Sequence, residues 1–268
     1  MTAHAFTDVR LHIEGGIAKL VLARPGVRNA LRTQTCHQLT QALAEIGRRT
    51  DVRLLWLSGE GGSFCAGADL TDATVFNEPG DQRENARKHL DDVFHPIIKA
   101  LRGLRQPSLA VIPGAAVGFG FDLACACDLR VAAADAKLGP VFNRIGLVPD
   151  GGGTWSLPRL IGPTRALEWI LTGHTRTAAE VESWGFLNRV VPADRLEATA
   201  LTLAQALVDG PPLALAAARR LVYAAQNCTF DEALSAERDA QGEMIASTDC
   251  GEGVAAFFER RPPRFKGE

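Results

Sequence analysis

Two short loops in this sequence are built from residues small enough to present bare backbone to a ligand. The first is Cys65-Ala66-Gly67-Ala68-Asp69-Leu70 and the second is Val117-Gly118-Phe119-Gly120-Phe121-Asp122. Each ends an apolar run that reads as a strand, and the second opens a helix whose N-terminal dipole is positive. Two main-chain N–H groups aimed at one point form an oxyanion hole, worth about 3–4 kcal/mol per donor in a water-excluded site. Acid–base chemistry at such a point also needs a proton carrier. Asp122 stands in the first turn of the helix, where the dipole alone would account for it. Asp150 precedes Gly151-Gly152-Gly153 and a further helix, a place where turn and cap aspartates are common.

Other chemistries find no support in the spacing. Leu123 stands where the third glycine of GxGxxG belongs, and no GxxxxGK precedes the glycine run at 151–153. Gly61-Gly62-Ser63-Phe64-Cys65 ends in Cys where a GxSxG nucleophile turn needs glycine. The six cysteines make no CxxC pair, Cys125 and Cys127 sit among alanines, and the six histidines make no HExxH. No metal site is expected, and the thiols read as buried packing. Asp69 and Asp128 read as structural hydrogen-bond acceptors. A net charge of −2 argues against binding to nucleic acid or an anionic membrane surface. No uncharged apolar stretch approaches the ~18 residues of a membrane span, and MTAHAFTDVRLHIEGG lacks the apolar core of a secretory signal. A reducing, cytoplasmic setting fits these features.

The elements around the loops follow from periodicity. Residues 8–23 alternate as two strands joined at Gly15-Gly16. Thr33 reads as the cap of a helix with Leu39, Ala42, Leu43 and Ile46 on one face. Buried strands are expected at 52–57, 108–112 and 129–133, with one long helix over 81–105 and a short helix at 122–126. From 153 onward helices dominate, over 153–161, 164–171, 178–184, 194–208, 212–225 and 230–247, with one short strand at 188–191. The clearest linker is Asp209-Gly210-Pro211-Pro212. Strand-then-helix alternation predicts an α/β fold.

Taken together, FCAGADL, GFGFDLACACDLRVAAADAKLG, LVLARPGVRNAL, RIGLVPDGGGTWSLPRLIG and AAFFERRPPRFKGE resemble the enoyl-CoA hydratase/isomerase (crotonase) superfamily over essentially the whole chain. The resemblance implies a spiral of stacked ββα units with a C-terminal helical region, assembled as a trimer or dimer of trimers. Residues 1–209 would form the core with the acyl-CoA site, and 210–268 an oligomerisation and CoA-covering region.

The resemblance also implies chemistry: binding of an acyl-CoA thioester and stabilisation of its enolate, with no cofactor beyond the CoA moiety itself. Matched motif to motif, the oxyanion donors are the N–H groups of Ala68 and Phe119. Val27, Arg28 and Ala66 would lie along the CoA arm, with Phe257 and Arg260 reaching its nucleotide end from a neighbouring subunit. Hydratases of the family use two glutamates. Here Asp122 stands at the first position and Phe142 at the second, and a phenyl ring transfers no proton. GLVPDGGGTW resembles the ring-1,2-epoxyphenylacetyl-CoA isomerase-like subgroup, in which the aspartate, here Asp150, shuttles a proton. Double-bond isomerisation is therefore the leading expectation, with Asp150 or Asp122 returning the proton. Hydration using Asp122 and Asp150 is the first alternative. Aryl-CoA hydrolysis or dehalogenation, and a non-catalytic CoA-ester-binding scaffold, are the others.

Overall fold

β1 (Val9–Glu14) and β2 (Ile17–Leu22) pair antiparallel around Gly15 and Gly16, both at positive φ. Alternation places Leu20 and Leu22 in the core and the intervening side chains outward. A computed structural model describes the protein at residues 6–72 and 79–268, so Met1–Ala5 of the stretch read for a secretory signal lie outside the described residues. The first helix, α1 (Thr33–Arg48), buries Leu39, Ala42, Leu43 and Ile46 as its periodicity predicts. Its first turn is satisfied differently from expectation. Thr33 lies inside the helix, and its N–H donates to Oδ2 of Asp72 at 2.7 Å.

β3 (Leu54–Gly59) lies parallel to β2. The single helix expected over 81–105 is two: α2 (Gln82–His89) and α3 (His95–Gly103), joined by a π-helical turn at Leu90–Phe94. Pro96 explains the interruption. A proline within a continuous helix removes one N–H and crowds the carbonyl four residues back, and a widened turn ahead of it relieves the clash.

β4 (Ser108–Ile112) is wholly buried and pairs with β3; after the two-residue β5 (Ala116–Val117) comes α4 (Phe119–Ala126). Every residue of α4 is buried, which its run of Gly, Ala and Cys permits by letting neighbours approach closely. β6 (Leu129–Ala133) follows, then β7 (Lys137–Gly139), α5 (Gly153–Ile161), α6 (Pro163–Thr172), β8 (Arg176–Thr177), α7 (Ala178–Val181) and β9 (Arg189–Val191). The main sheet runs β1-β2-β3-β4-β6-β9, parallel after the first pair, and β5-β7-β8 form a small second sheet. Phe121 of α4 packs between Trp169 and Phe186, with ring centroids 5.0 and 5.2 Å away.

Four helices finish the chain: α8 (Leu196–Val208), α9 (Pro212–Ala224), α10 (Phe230–Ile245) and α11 (Thr248–Glu259). α10 agrees with the helix expected over 230–247, and α11 is a further helix where only a tail was expected. Ser247 stops one helix and caps the next, accepting the Cys250 N–H at 3.2 Å. The main core extends no further than Val208. A polar anchor holds α9 instead, where Asp128 accepts from Arg219 Nε at 2.8 Å and from the Tyr223 hydroxyl at 2.6 Å. Among the described residues, no single helix is long and apolar enough to cross a membrane.

Candidate active site

β3 and β4 end side by side, so the loops that follow them meet. The Phe64 and Cys65 N–H groups donate to the Ala115 carbonyl at 3.0 and 2.9 Å, and Val117 N–H donates to the Cys65 carbonyl at 3.0 Å. The approach leaves no room for side chains. A Cβ on Gly120 would overlap the Cys65 carbonyl oxygen, and Gly67, at φ +92°, lies against the Val117 carbonyl. Because Phe119 is the first residue of α4, its N–H has no partner within the helix. Among the described residues, the N–H groups of Ala68 and Phe119 donate to no protein acceptor. Both residues line one cavity of about 420 Å³, within the usual size range for a small-molecule site. Two unpaired amides, one at a helix N-terminus, are the components of an oxyanion hole.

The rest of the wall is largely apolar. Leu31, Leu90, Phe94, Phe142 and Leu147 line it, with Phe94 edge-on to Phe119 at 4.8 Å between centroids. Among the described residues, three carboxylates reach it: Asp69, Asp72 and Asp150. Asp69 accepts from the Thr71 hydroxyl at 2.6 Å and from Arg24 at 2.9 Å, and these partners hold it below the usual carboxylate range. Asp72 accepts the Thr33 N–H. Asp150 differs from both, because its Oδ1 is buried without a partner. Burial pushes its carboxyl up to about 6, opposed by its own N–H and by the charge of nearby His95. It does not cap α5, whose N-cap is Gly152.

Asp122 lies elsewhere. It is fully buried and absent from the cavity wall, and the Gly151 N–H donates to its Oδ2 at 2.9 Å. Burial pushes this carboxyl up to about 7, against the pull of that N–H and with a push from Asp150. The proton-transferring role that the sequence left open to Asp122 thus finds no place on the cavity wall. Phe142, where a second acid would stand, is on the wall. The Cys65 thiol is buried and pushed up to about 12, which leaves it inert.

Ala66 also lines the cavity, and its N–H donates to the Arg28 carbonyl at 3.0 Å, which ties the Arg28 loop to the oxyanion loop. Asn29, a residue the motifs did not single out, fixes that loop. Its amide donates to the carbonyls of Glu60 and Ser63 at 2.9 and 2.8 Å, while its Oδ1 accepts the Arg24 N–H. It pins Arg28 and Asn29 in left-handed conformations, at φ +51° and +58°. Val27, Arg28, Phe257 and Arg260 are exposed and off the cavity wall. Asp128 serves structure, through the anchor to α9.

The family model for enoyl-CoA hydratase/isomerase matches residues 12–268. The chain belongs to the enoyl-CoA hydratase/isomerase family. It is 35% identical over 257 residues to the 1,2-epoxyphenylacetyl-CoA isomerase of Escherichia coli (strain K12), covering 96% of this chain and 97% of that protein. It is 36% identical over 263 residues to a Rhodobacter capsulatus protein named "Probable enoyl-CoA hydratase", covering 98% and 99%. Its structure is similar to that of an enoyl-CoA hydratase from Bacillus anthracis, with a TM-score of 0.92 at 32% identity, covering 98% and 100%. The α/β crotonase fold with its C-terminal helices is therefore that of the family. Relatives carry hydratase and isomerase names alike, so for this family member the acids on the cavity wall bear on which reaction is run.

Proposed function

We propose that this enzyme isomerises the double bond of an enoyl-CoA thioester, with Asp150 as the proton carrier. The observation that carries this reading is Asp150 itself: of the three carboxylates on the cavity wall, it has the buried oxygen left without a partner. The Ala68 and Phe119 N–H groups accept the growing negative charge on the thioester oxygen as Asp150 removes a proton from C2 of a 3-enoyl thioester. Electrons move from C2–H toward the carbonyl and return from the dienolate, and Asp150 delivers the proton to C4. The product is the conjugated 2-enoyl thioester. A carboxyl near 6 suits both halves, because it gives and takes a proton without large cost near neutral pH.

Hydration asks for more: one group to orient a water and another to protonate C2. Phe142 supplies neither, and Asp122 is off the cavity wall with its Oδ2 taken by the Gly151 N–H. In this reading Val27, Arg28 and Ala66 bind the CoA arm. Phe257 and Arg260 close over its nucleotide end from a neighbouring copy in a cytoplasmic trimer or dimer of trimers, with 210–268 as the assembling region. No further cofactor takes part. The test is product identity. With hex-3-enoyl-CoA the expected result is a rise in conjugated-enoyl absorbance at constant mass. Water added to hex-2-enoyl-CoA with hex-3-enoyl-CoA left unchanged would favour hydration, and a covalent adduct trapped on Asp150 would favour hydrolysis; either overturns the proposal.

A further inference from the structure

One peptide group beside the reacting acid is held at both of its polar ends by side chains from two other elements. The Asp150 carbonyl lies 3.0 Å from Nε2 of His95, at the start of α3. The N–H of the next residue, Gly151, donates to Oδ2 of Asp122 in α4 at 2.9 Å. Both bonds belong to the same planar unit, the one that joins Asp150 to Gly151. Holding a plane by its C=O and its N–H fixes ψ of Asp150 and φ of Gly151. It therefore fixes the direction in which the Asp150 side chain leaves the backbone. The carboxylate needs such support, because its Oδ1 has no partner of its own.

We propose that His95 and Asp122 clamp the 150–151 peptide and thereby position Asp150 for proton transfer. The inference rests on the reading of Asp150 as proton carrier. Neither clamp residue lines the cavity, so both are positioning residues. Three features of the chain serve the clamp. Pro96 and the π-helical turn before it set where His95 emerges. Asp91, one turn earlier, faces the His95 Nδ1 at 3.2 Å and orients the ring. A carbonyl only accepts, so Nε2 carries the hydrogen for the bond to Asp150. Finally, the glycines give clearance. A Cβ on Gly151 would sit 2.7 Å from Asp122 Cβ and 2.9 Å from the Phe119 ring, and one on Gly153 would overlap Asp122 Oδ1.

The test uses His95→Phe, which keeps a ring and removes the donor, and His95→Gln, which restores an N–H near the Nε2 position. Amide hydrogen exchange at Gly151 reads the clamp; steady-state turnover of hex-3-enoyl-CoA reads its consequence. In His95→Phe the clamp predicts Gly151 exchange faster by about tenfold or more. It also predicts kcat lower by about 10–100-fold with KM within about twofold. His95→Gln is expected to recover most of both. Unchanged Gly151 exchange in His95→Phe overturns the clamp, and so does faster exchange at wild-type kcat. A kcat loss shared by His95→Gln, together with a lowered melting temperature, marks plain destabilisation and also overturns it. Wild-type turnover by Asp150→Asn would instead remove the reading beneath the clamp, a result recognisable because Gly151 exchange stays slow in that variant.

Discussion

In the proposed reaction, the balance between burial and charge at Asp150 sets the working pH. Desolvation raises the carboxyl to about 6, and the charge of His95 limits the rise. A base must be ionised to take a proton, so activity is present above that value and lost as pH falls through it. The expected kcat/KM profile for hex-3-enoyl-CoA rises through about pH 6 and levels off above it. A profile flat from about pH 5 to 7 would contradict the role. Asp69 offers the contrast within the same cavity. Thr71 and Arg24 hold it ionised below the ordinary range, where a carboxylate is too weak a base for this task.

At the scale of elements, the proposed oxyanion hole depends on how closely the ends of β3 and β4 approach. Gly120→Ala would push a methyl group into the Cys65 carbonyl and part the two loops. Expected outcomes are a loss of about 1–3 kcal/mol in urea melts and a larger loss in kcat than in substrate affinity. Unchanged kcat would mean that loop contact does not set the donor geometry. The strands at 9–14, 17–22, 108–112 and 129–133 were legible in the sequence because alternation or an unbroken apolar run is a local signal. The close approach of the two small-residue loops was legible for a related reason, since bare backbone after a strand leaves room for a second loop. Other features are set by distant partners. Thr33 takes its N-terminal partner from Asp72, 39 residues on. The second sheet is made of strands of two or three residues, too short to show a period. Asp122 takes its partner from Gly151, 29 residues on, and His95 finds its acceptor 55 residues later. Pro96 did carry a local signal for the break between α2 and α3.

On the scale of the whole molecule, the C-terminal helices lie outside the main core and leave large apolar side chains uncovered. Phe230 is 76% exposed, and Phe257 and Phe258 are each 78% exposed. Aromatic rings left in water on one region of a chain are more characteristic of an interface than of a free surface. In the proposed assembly a second copy covers them, and the same contact brings Phe257 and Arg260 to the CoA end of a neighbouring site. Phe257→Glu with Phe258→Glu is expected to shift the mass in solution from trimer or larger to monomer and to raise KM for the CoA ester. A monomeric wild type, or a double variant that still assembles with unchanged KM, would speak against that arrangement. Arg219 and Asp128 should keep α9 docked in either case.

The most direct test of the account is Asp150→Asn, which keeps the size and removes the proton-carrying group. Turnover of hex-3-enoyl-CoA is expected to fall by about 10³-fold or more, with affinity for a saturated acyl-CoA within about threefold of wild type by calorimetry. Turnover at the wild-type rate would contradict the central claim.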